Sequence, residues 1–197
     1  MSFATLRTIG GIGFVAAFVA GAAVYGGGAG STDAEITSYY ASHGNRLHQV
    51  VGFALIVVAI VLFVVFVAGL ADVLPRRRAV VACVSGGCAA ALLFGANALW
   101  AASALTVELE SGYRIEPRTH LLLEDAGFAL FVSAAAVAVP LVAAVSLSGA
   151  YARWFAPAGI VVALALAASY WYFPFFAFLA WVGLAATLEP SGPTLSG

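Results

Sequence analysis

The sequence predicts an all-α fold, a polytopic transmembrane helix bundle in which residues 1–197 form a single integral membrane domain. Of the 197 residues, 63% are hydrophobic and only 9% are charged, whereas soluble domains average about 45–50% apolar and about 25% charged residues. The apolar residues also form long stretches, of the length that a helix needs to cross a bilayer. The formal net charge of −1 gives no indication of a nucleic-acid partner.

Six spans are predicted, at residues 8–25, 47–70, 80–105, 119–147, 155–171 and 174–188. The last two divide one apolar tract, which is too long for one straight span and short for two. The aromatic cluster Tyr170–Pro174 favours the division, because aromatic residues concentrate at membrane interfaces and proline can begin a helix. The alternative is five spans, with a long kinked last span. Pro140 predicts a bend in the fourth span.

The first span ends in the small residues 26–30, a pattern that a cleaved signal peptide also shows. The length of its apolar stretch favours a membrane span. In the polar loop that follows, residues 33–40 are predicted to form a short helix at the membrane interface. Ser31 or Thr32 would cap it, acidic residues would lie in its first turn, and two tyrosines would lie near the lipid headgroups.

Small residues at every fourth position predict close helix packing along two spans. They are Gly13, Ala17 and Gly21 in the first span, and Gly87, Ala91 and Gly95 in the third. Through such seams we also expect contact with a membrane-protein partner or with further copies of the chain.

The cluster Arg76, Arg77 and Arg78 gives the orientation, because arginines concentrate in the short cytoplasmic loops of membrane proteins. It predicts a multi-pass plasma-membrane protein with a cytoplasmic N-terminus and with the lipid bilayer as its surroundings. Contact with anionic lipids is the alternative role of the cluster.

Two short motifs occur where the chain is predicted to re-enter the membrane from outside. Arg46-Leu47-His48 begins the second span and Arg118-Thr119-His120 begins the fourth, and Gly-Phe-Ala-Leu follows each of them. The match suggests two related hairpins, as in a parallel internal repeat. The alternative is chance, since these residue types are common in membrane helices.

Histidines and acids at these two re-entry points are the candidate ligand or metal site. His120 and Glu124 are four residues apart and share one face of a helix, and His48 or His43 could approach from the second span. Histidine with carboxylate suits a metal such as zinc, and two histidines could ligate haem. Asp125 completes the acidic pair.

A purely structural role is the alternative for the same residues. Thr119 could cap the fourth helix, and Glu124 and Asp125 would lie near its start, where the helix dipole favours negative charge. An ion pair from either acid to Arg46 or Arg118 would then hold the two hairpins together.

Neither a proton path nor an enzyme is indicated. No ionisable residue is predicted at mid-membrane, and the one amide well inside a span, Asn97, typically bonds to a neighbouring helix. The sequence contains no phosphate loop and no readable Ser/His/Asp arrangement. This favours a non-enzymatic role.

The layout of the chain resembles a broad group of uncharacterised small multi-pass bacterial membrane proteins. The resemblance depends on Glu35, Tyr39, Tyr40, His43, Arg46, Arg153, Trp154 and Trp181, together with the arginine cluster. It implies a helical bundle of about six spans and implies no activity.

The expected function is therefore that of a partner subunit or a small-molecule-binding bundle, with its polar site at the outer ends of the second and fourth spans. One alternative is a metal- or haem-binding redox protein that uses His48 and His120. The other is a small-molecule transporter, in which Asn97 would line a cavity.

Overall fold

A computed structural model describes residues 2–26, 28–110, 112–168 and 173–190. Within these ranges the chain forms seven α-helices and no strand, which confirms the all-α class. The helices are α1 (Phe3–Tyr25), α2 (Asp33–Ala41), α3 (His43–Leu70), α4 (Arg76–Leu109), α5 (Pro117–Ser146), α6 (Phe155–Ala167) and α7 (Phe173–Thr187). Four of them, α1, α3, α4 and α5, are long and apolar enough to cross a bilayer.

The four long helices extend beyond the predicted spans. α4 has 34 residues and begins at Arg76, inside the arginine cluster, and α5 has 30 residues. The predicted bounds marked only the apolar stretches, whereas each helix begins earlier, in the polar residues before its stretch, and α4 also continues beyond the end of its stretch.

The last apolar tract forms two short helices. α6 has 13 residues and α7 has 15, so they are about 20 and 22 Å long, less than the roughly 30 Å of a hydrocarbon core. They run antiparallel, because the Tyr151 hydroxyl before α6 donates to the carbonyl of Ala185 late in α7, at 3.1 Å. Of the aromatic cluster that predicted the division, Tyr170–Tyr172 lies outside the described residues.

The predicted interfacial helix is α2. Thr32 caps it, with its hydroxyl accepting from the Glu35 N–H while the Glu35 carboxylate accepts from the Thr32 N–H at 3.0 Å. These hydrogen bonds from Thr32 hold the pKa of Glu35 below its ordinary value. Ile36 and Tyr40 are buried, so α2 covers one end of the bundle.

The helix of the fourth predicted span, α5, is capped by a different residue from the one expected. Glu116, and not Thr119, caps α5, and its carboxylate accepts from the Thr119 N–H at 2.6 Å. Proline is favoured at the first helical position. With Pro117 at that position, the residue before it, Glu116, is the cap. Hydrogen bonding from Thr119 lowers the pKa of Glu116.

α1 and α3 are antiparallel and touch backbone to backbone. A Cβ added at Gly10 would clash with the backbone nitrogen of Phe66, and one at Gly69 would lie 2.5 Å from that of Arg7. Towards the other end, a Cβ at Gly52 would lie 3.1 Å from the carbonyl oxygen of Gly21. Glycines from both helices therefore set their separation.

The predicted seams are only partly the packed surfaces. In α1, Gly13 and Gly21 of the predicted seam both face α3, and Gly10 adds a close contact outside the seam. In α4, Gly87 and Ala91 are exposed. Gly95 of that seam packs on Leu130 of α5, and Gly86, next to the seam, packs on the Val67 side chain. Small residues occupy neighbouring faces of α4, so their spacing alone could not identify the inward one.

Hydrogen bonds link α4 to α5 beside Pro140, an internal residue of α5 at which the helix continues. Proline has no N–H, so Pro140 removes the helical bond to the Ala136 carbonyl, and its ring crowds that carbonyl and loosens the helix around it. The Leu141 N–H and the Val137 carbonyl lie at this point. Ser85 of α4 serves both groups: its hydroxyl accepts from the Leu141 N–H at 3.1 Å and donates to the Val137 oxygen.

The bundle has two different ends. The arginine end contains Arg7, the cluster at residues 76–78, and Arg153. Arg7 is buried beside the Tyr151 ring and donates to the Leu188 carbonyl at 3.2 Å, while Arg78 donates to the carbonyl of Leu147. The opposite end, under α2, contains the candidate site and is called the α2 end below.

Candidate functional site

The structure places the predicted site residues in two environments. His120 is buried, whereas His43, His48, Asp125 and Arg118 are exposed. His48 and His120 are both described, and no contact joins them. Among the described residues, no group of three histidines, cysteines or acids could hold a metal ion. The two motifs therefore lie in unlike surroundings despite their similar sequence.

A buried polar network surrounds His120. The Ser103 hydroxyl of α4 lies 3.0 Å from His120 Nδ1, and the Tyr40 hydroxyl of α2 lies 3.4 Å from the same nitrogen. Tyr40 donates to Oε1 of Gln49 on α3 at 3.0 Å. Helices α2, α4 and α5 thus meet at the imidazole, and α3 joins the network through Tyr40.

These contacts favour one tautomer of His120. Glu124 Oε1 lies 3.4 Å from His120 Nε2, within ion-pair distance, although the two atoms form no hydrogen bond. A carboxylate on that side favours the proton on Nε2, so Nδ1 accepts from Ser103. Burial raises the pKa of Tyr40 to about 12, which keeps its hydroxyl protonated as a donor to Gln49.

A second cluster lies at the surface of the α2 end. Glu108 Oε1 of α4 is 2.9 Å from His43 Nδ1 and 2.5 Å from Arg46 Nε. Arg46 also donates to the carbonyl of Tyr40. The expected partner of Arg46 was Glu124 or Asp125, but Glu108 takes that place. This cluster ties α2, α3 and α4 together and leaves Glu124 with the His120 ring.

A cavity of about 520 Å³ adjoins the network. Its described lining comes from five helices and is mostly apolar: Phe18, Val19, Ala22, Ala23, Tyr25, Ile56, Trp100, Phe131, Phe175, Phe176 and Leu179. Gln49 and Glu124 supply the polar part of the wall, and Glu124 is the one charged residue among the described lining residues. The cavity is therefore amphipathic, with its polar side towards the α2 end.

The cavity lies beside the contact between α1 and α7. The ring of Phe175, near the start of α7, packs on that of Phe18 in α1 with centroids 4.9 Å apart. α1 continues for two more turns beyond Phe18, whereas α7, as described, begins only two residues before Phe175. These two helices carry the exposed lining residues Val19, Ala22, Ala23 and Phe176, so the rim between them is apolar.

Polar groups of the cavity wall differ in how far they are satisfied. The Trp100 indole donates to the carbonyl of Glu124 at 3.2 Å, which fixes the ring beside that residue. The hydroxyl of Tyr25 is buried and makes no hydrogen bond within the described part of the chain. The wall thus offers a hydroxyl, an amide and a carboxylate to a ligand.

Asn97 lies apart from the cavity. It is buried, and its Nδ2 donates to the carbonyl of Phe53 on α3 at 3.1 Å, in agreement with the expected helix-to-helix bond. Its Oδ1 makes no hydrogen bond among the described residues.

Sequence reasoning missed several residues of the site. Gln49, Ser103, Tyr25 and Trp100 were not predicted. Gln49 carried a signal, since a glutamine within the first turns of an apolar span is costly to bury without a partner. Ser103 carried none, because serine is common in membrane helices.

No protein-family model, curated protein or solved structure matches the chain. The candidate function therefore depends on the chemistry of the cavity and its network.

Proposed function

We propose that the protein is a membrane-embedded binding protein for an amphipathic small molecule, held in the cavity beside the His120 network. The observation that carries the proposal is the composition of the cavity wall. Ligand sites are concave and mostly apolar, with a few placed polar groups, and this wall combines an apolar surface with Gln49, Tyr25 and Glu124 at one side.

Its size supports the same proposal. A volume of about 520 Å³ falls within the range of roughly 300–1,000 Å³ that is usual for small-molecule sites. The buried network behind the wall fixes Gln49 through Tyr40, so its amide would be held in place before a ligand arrives.

Binding of simple amphiphiles to the protein in lipid nanodiscs tests the proposal. Dodecyltrimethylammonium, dodecanol and dodecyl sulfate share one tail and differ in head-group charge. At least one is expected to bind the wild type more tightly than an Ala23→Phe variant, whose added ring would occupy the cavity. Ala16→Phe is the matched control, since Ala16 is exposed on the same helix and does not line the cavity. Equal binding of all three probes to wild type and Ala23→Phe would contradict the proposal.

The topology is part of the proposal. We propose six spans, with α6 and α7 as two short ones, and the arginine end in the cytoplasm of a plasma membrane. Five of the eight arginines are at that end, as the positive-inside rule requires. With Cys83 and Cys88 replaced by Ala, an impermeant thiol reagent applied to cells should label Ser38→Cys in α2 and spare Ser2→Cys. The reverse labelling would refute the orientation.

A further inference from the structure

Glu124 is the feature of the cavity that apolar packing does not explain. Its side chain is 37% exposed in the bundle, and it lines a cavity whose other described lining residues are uncharged. Arg46 is engaged with Glu108, and no arginine is within ion-pair distance of Glu124 among the described residues. A carboxylate inside a membrane bundle without a fixed cationic partner is costly and marks a functional site.

His120 lies behind this carboxylate and is not among the described lining residues of the cavity. Its Nε2 is 3.4 Å from the Glu124 carboxylate, and its Nδ1 is 3.0 Å from the Ser103 hydroxyl. Tyr40 contributes no charge, because its hydroxyl stays protonated. The described lining of the cavity contains one acidic side chain, Glu124, and no basic one.

Aromatic rings form a continuous wall that starts beside Glu124. Trp100 is bonded to the Glu124 carbonyl, and its ring centroid lies 5.7 Å from that of Phe131. Phe131 lies 4.9 Å from Phe175, which in turn contacts Phe18 of α1. The faces of aromatic rings attract cations, and cages of them recognise quaternary ammonium groups.

We propose that the ligand is an organic cation, an amphiphile whose ammonium group lies between the Glu124 carboxylate and the rings of Trp100 and Phe131. The inference rests on the proposed function and adds the charge of the ligand to it. The tail would follow the aromatic wall towards Phe175 and Phe18. Gln49 and Tyr25 would complete the surroundings of the head group with neutral dipoles.

The three probes with a common tail also test this inference. Dodecyltrimethylammonium is expected to bind the wild type roughly tenfold or more tightly than dodecanol, as one close ionic contact would give, and dodecyl sulfate is expected to bind worst. Glu124→Gln should weaken binding of the cation by a similar factor and leave binding of dodecanol unchanged. Asp125→Asn is the matched control, because it removes the same charge from the exposed neighbour and should change neither affinity.

The outcomes separate the two proposals. Dodecanol binding as tightly as the cation, with both lost in Ala23→Phe, would keep the binding site and overturn the cationic ligand. Equal weakening by Glu124→Gln and Asp125→Asn would assign the preference to general surface charge and would also overturn it. If the Glu124→Gln variant fails to fold, the relative affinities of the three probes for the wild type still test the inference. A cation that binds no more tightly than dodecanol would overturn it.

Discussion

The imidazole of His120 is held by groups from two other helices, and this determines which of its nitrogens carries the proton. Ser103 approaches Nδ1 from α4, Tyr40 covers the same edge from α2, and Glu124 stands opposite Nε2. Ser103 and His120 are both buried, so water does not replace either partner. A residue that satisfies several neighbours at once contributes more to stability than its own burial suggests.

Removal of the Ser103 hydroxyl should therefore destabilise the protein. Ser103→Ala leaves His120 Nδ1 without its closest partner, at an expected cost of about 1–3 kcal/mol. The free energy of unfolding in mixed micelles measures it. Ser133→Ala is the control, because Ser133 is exposed and bonds only to the Ala129 carbonyl of its own helix. Equal small effects of the two substitutions would mean that the network adds nothing.

At this scale the sequence predicted the residues that share a helix face but not those that meet across helices. The i, i+4 spacing correctly brought Glu124 to His120, because helix geometry alone determines it. The similarity of the two Arg-x-His motifs suggested His48 as a partner of His120. His48 is exposed, however, and its neighbour Gln49 is buried. The rotation of α3 decides between them, and that rotation depends on packing against α1 and α4.

Among the helices, α5 shows how an element can contain a proline inside an apolar bundle. A buried carbonyl and N–H that lose each other must find new partners, since no water is present to replace them. One serine on α4 provides both bonds. The proline and the serine thus form a single structural unit that spans two helices.

This coupling predicts a non-additive pair of substitutions. Ser85→Ala alone should cost about 1–3 kcal/mol, because it leaves the Val137 carbonyl and the Leu141 N–H unsatisfied. In a Pro140→Ala background the same change should cost clearly less, since the two groups can then approach each other directly. A double-mutant cycle of unfolding free energies measures the difference. The same cost in both backgrounds would contradict the coupling.

The elements themselves were largely predictable. Long apolar stretches gave α1, α3, α4 and α5, and the capping pattern around Thr32 and Glu35 gave α2, because both signals are local. The division of the last tract into two short helices was predicted from an aromatic cluster, and α7 has the predicted length, whereas α6 ends at Ala167, earlier than predicted. Hydropathy does not distinguish a helix of 13 residues from one that continues, since helix ends depend on local backbone contacts.

For the molecule as a whole, the contact between α1 and α3 holds the first helix against the rest of the bundle. Its glycines allow the two backbones to approach more closely than any side chain would permit. This close approach also positions α1 for its contacts with α7, where Thr8 donates to the Ala186 carbonyl at 3.0 Å. The spacing of small residues predicted Gly13 and Gly21 on the α1 side of this contact, but not Gly10 or the α3 glycines Gly52 and Gly69.

Enlarging a glycine in this contact should separate the two helices. Gly10→Ala would place a methyl group against the Phe66 backbone, and overpacking of this kind typically costs about 1–3 kcal/mol. Gly87→Ala is the matched control, since a Cβ there would meet no atom within 4 Å. The control should leave the thermal-unfolding midpoint unchanged or slightly higher, because alanine favours the helix. A similar loss in both variants would refute the role of the seam.

The apolar rim of the cavity affects how the affinity of any ligand must be measured. Val19, Ala22 and Phe176 are exposed on the sides of helices, where hydrocarbon rather than water would surround them. A ligand that enters between α1 and α7 would thus come from the bilayer, and its mole fraction in the lipid would set the occupancy. At a fixed total amount of ligand, doubling the lipid would nearly halve that mole fraction, so an apparent dissociation constant has meaning only with the lipid concentration stated beside it.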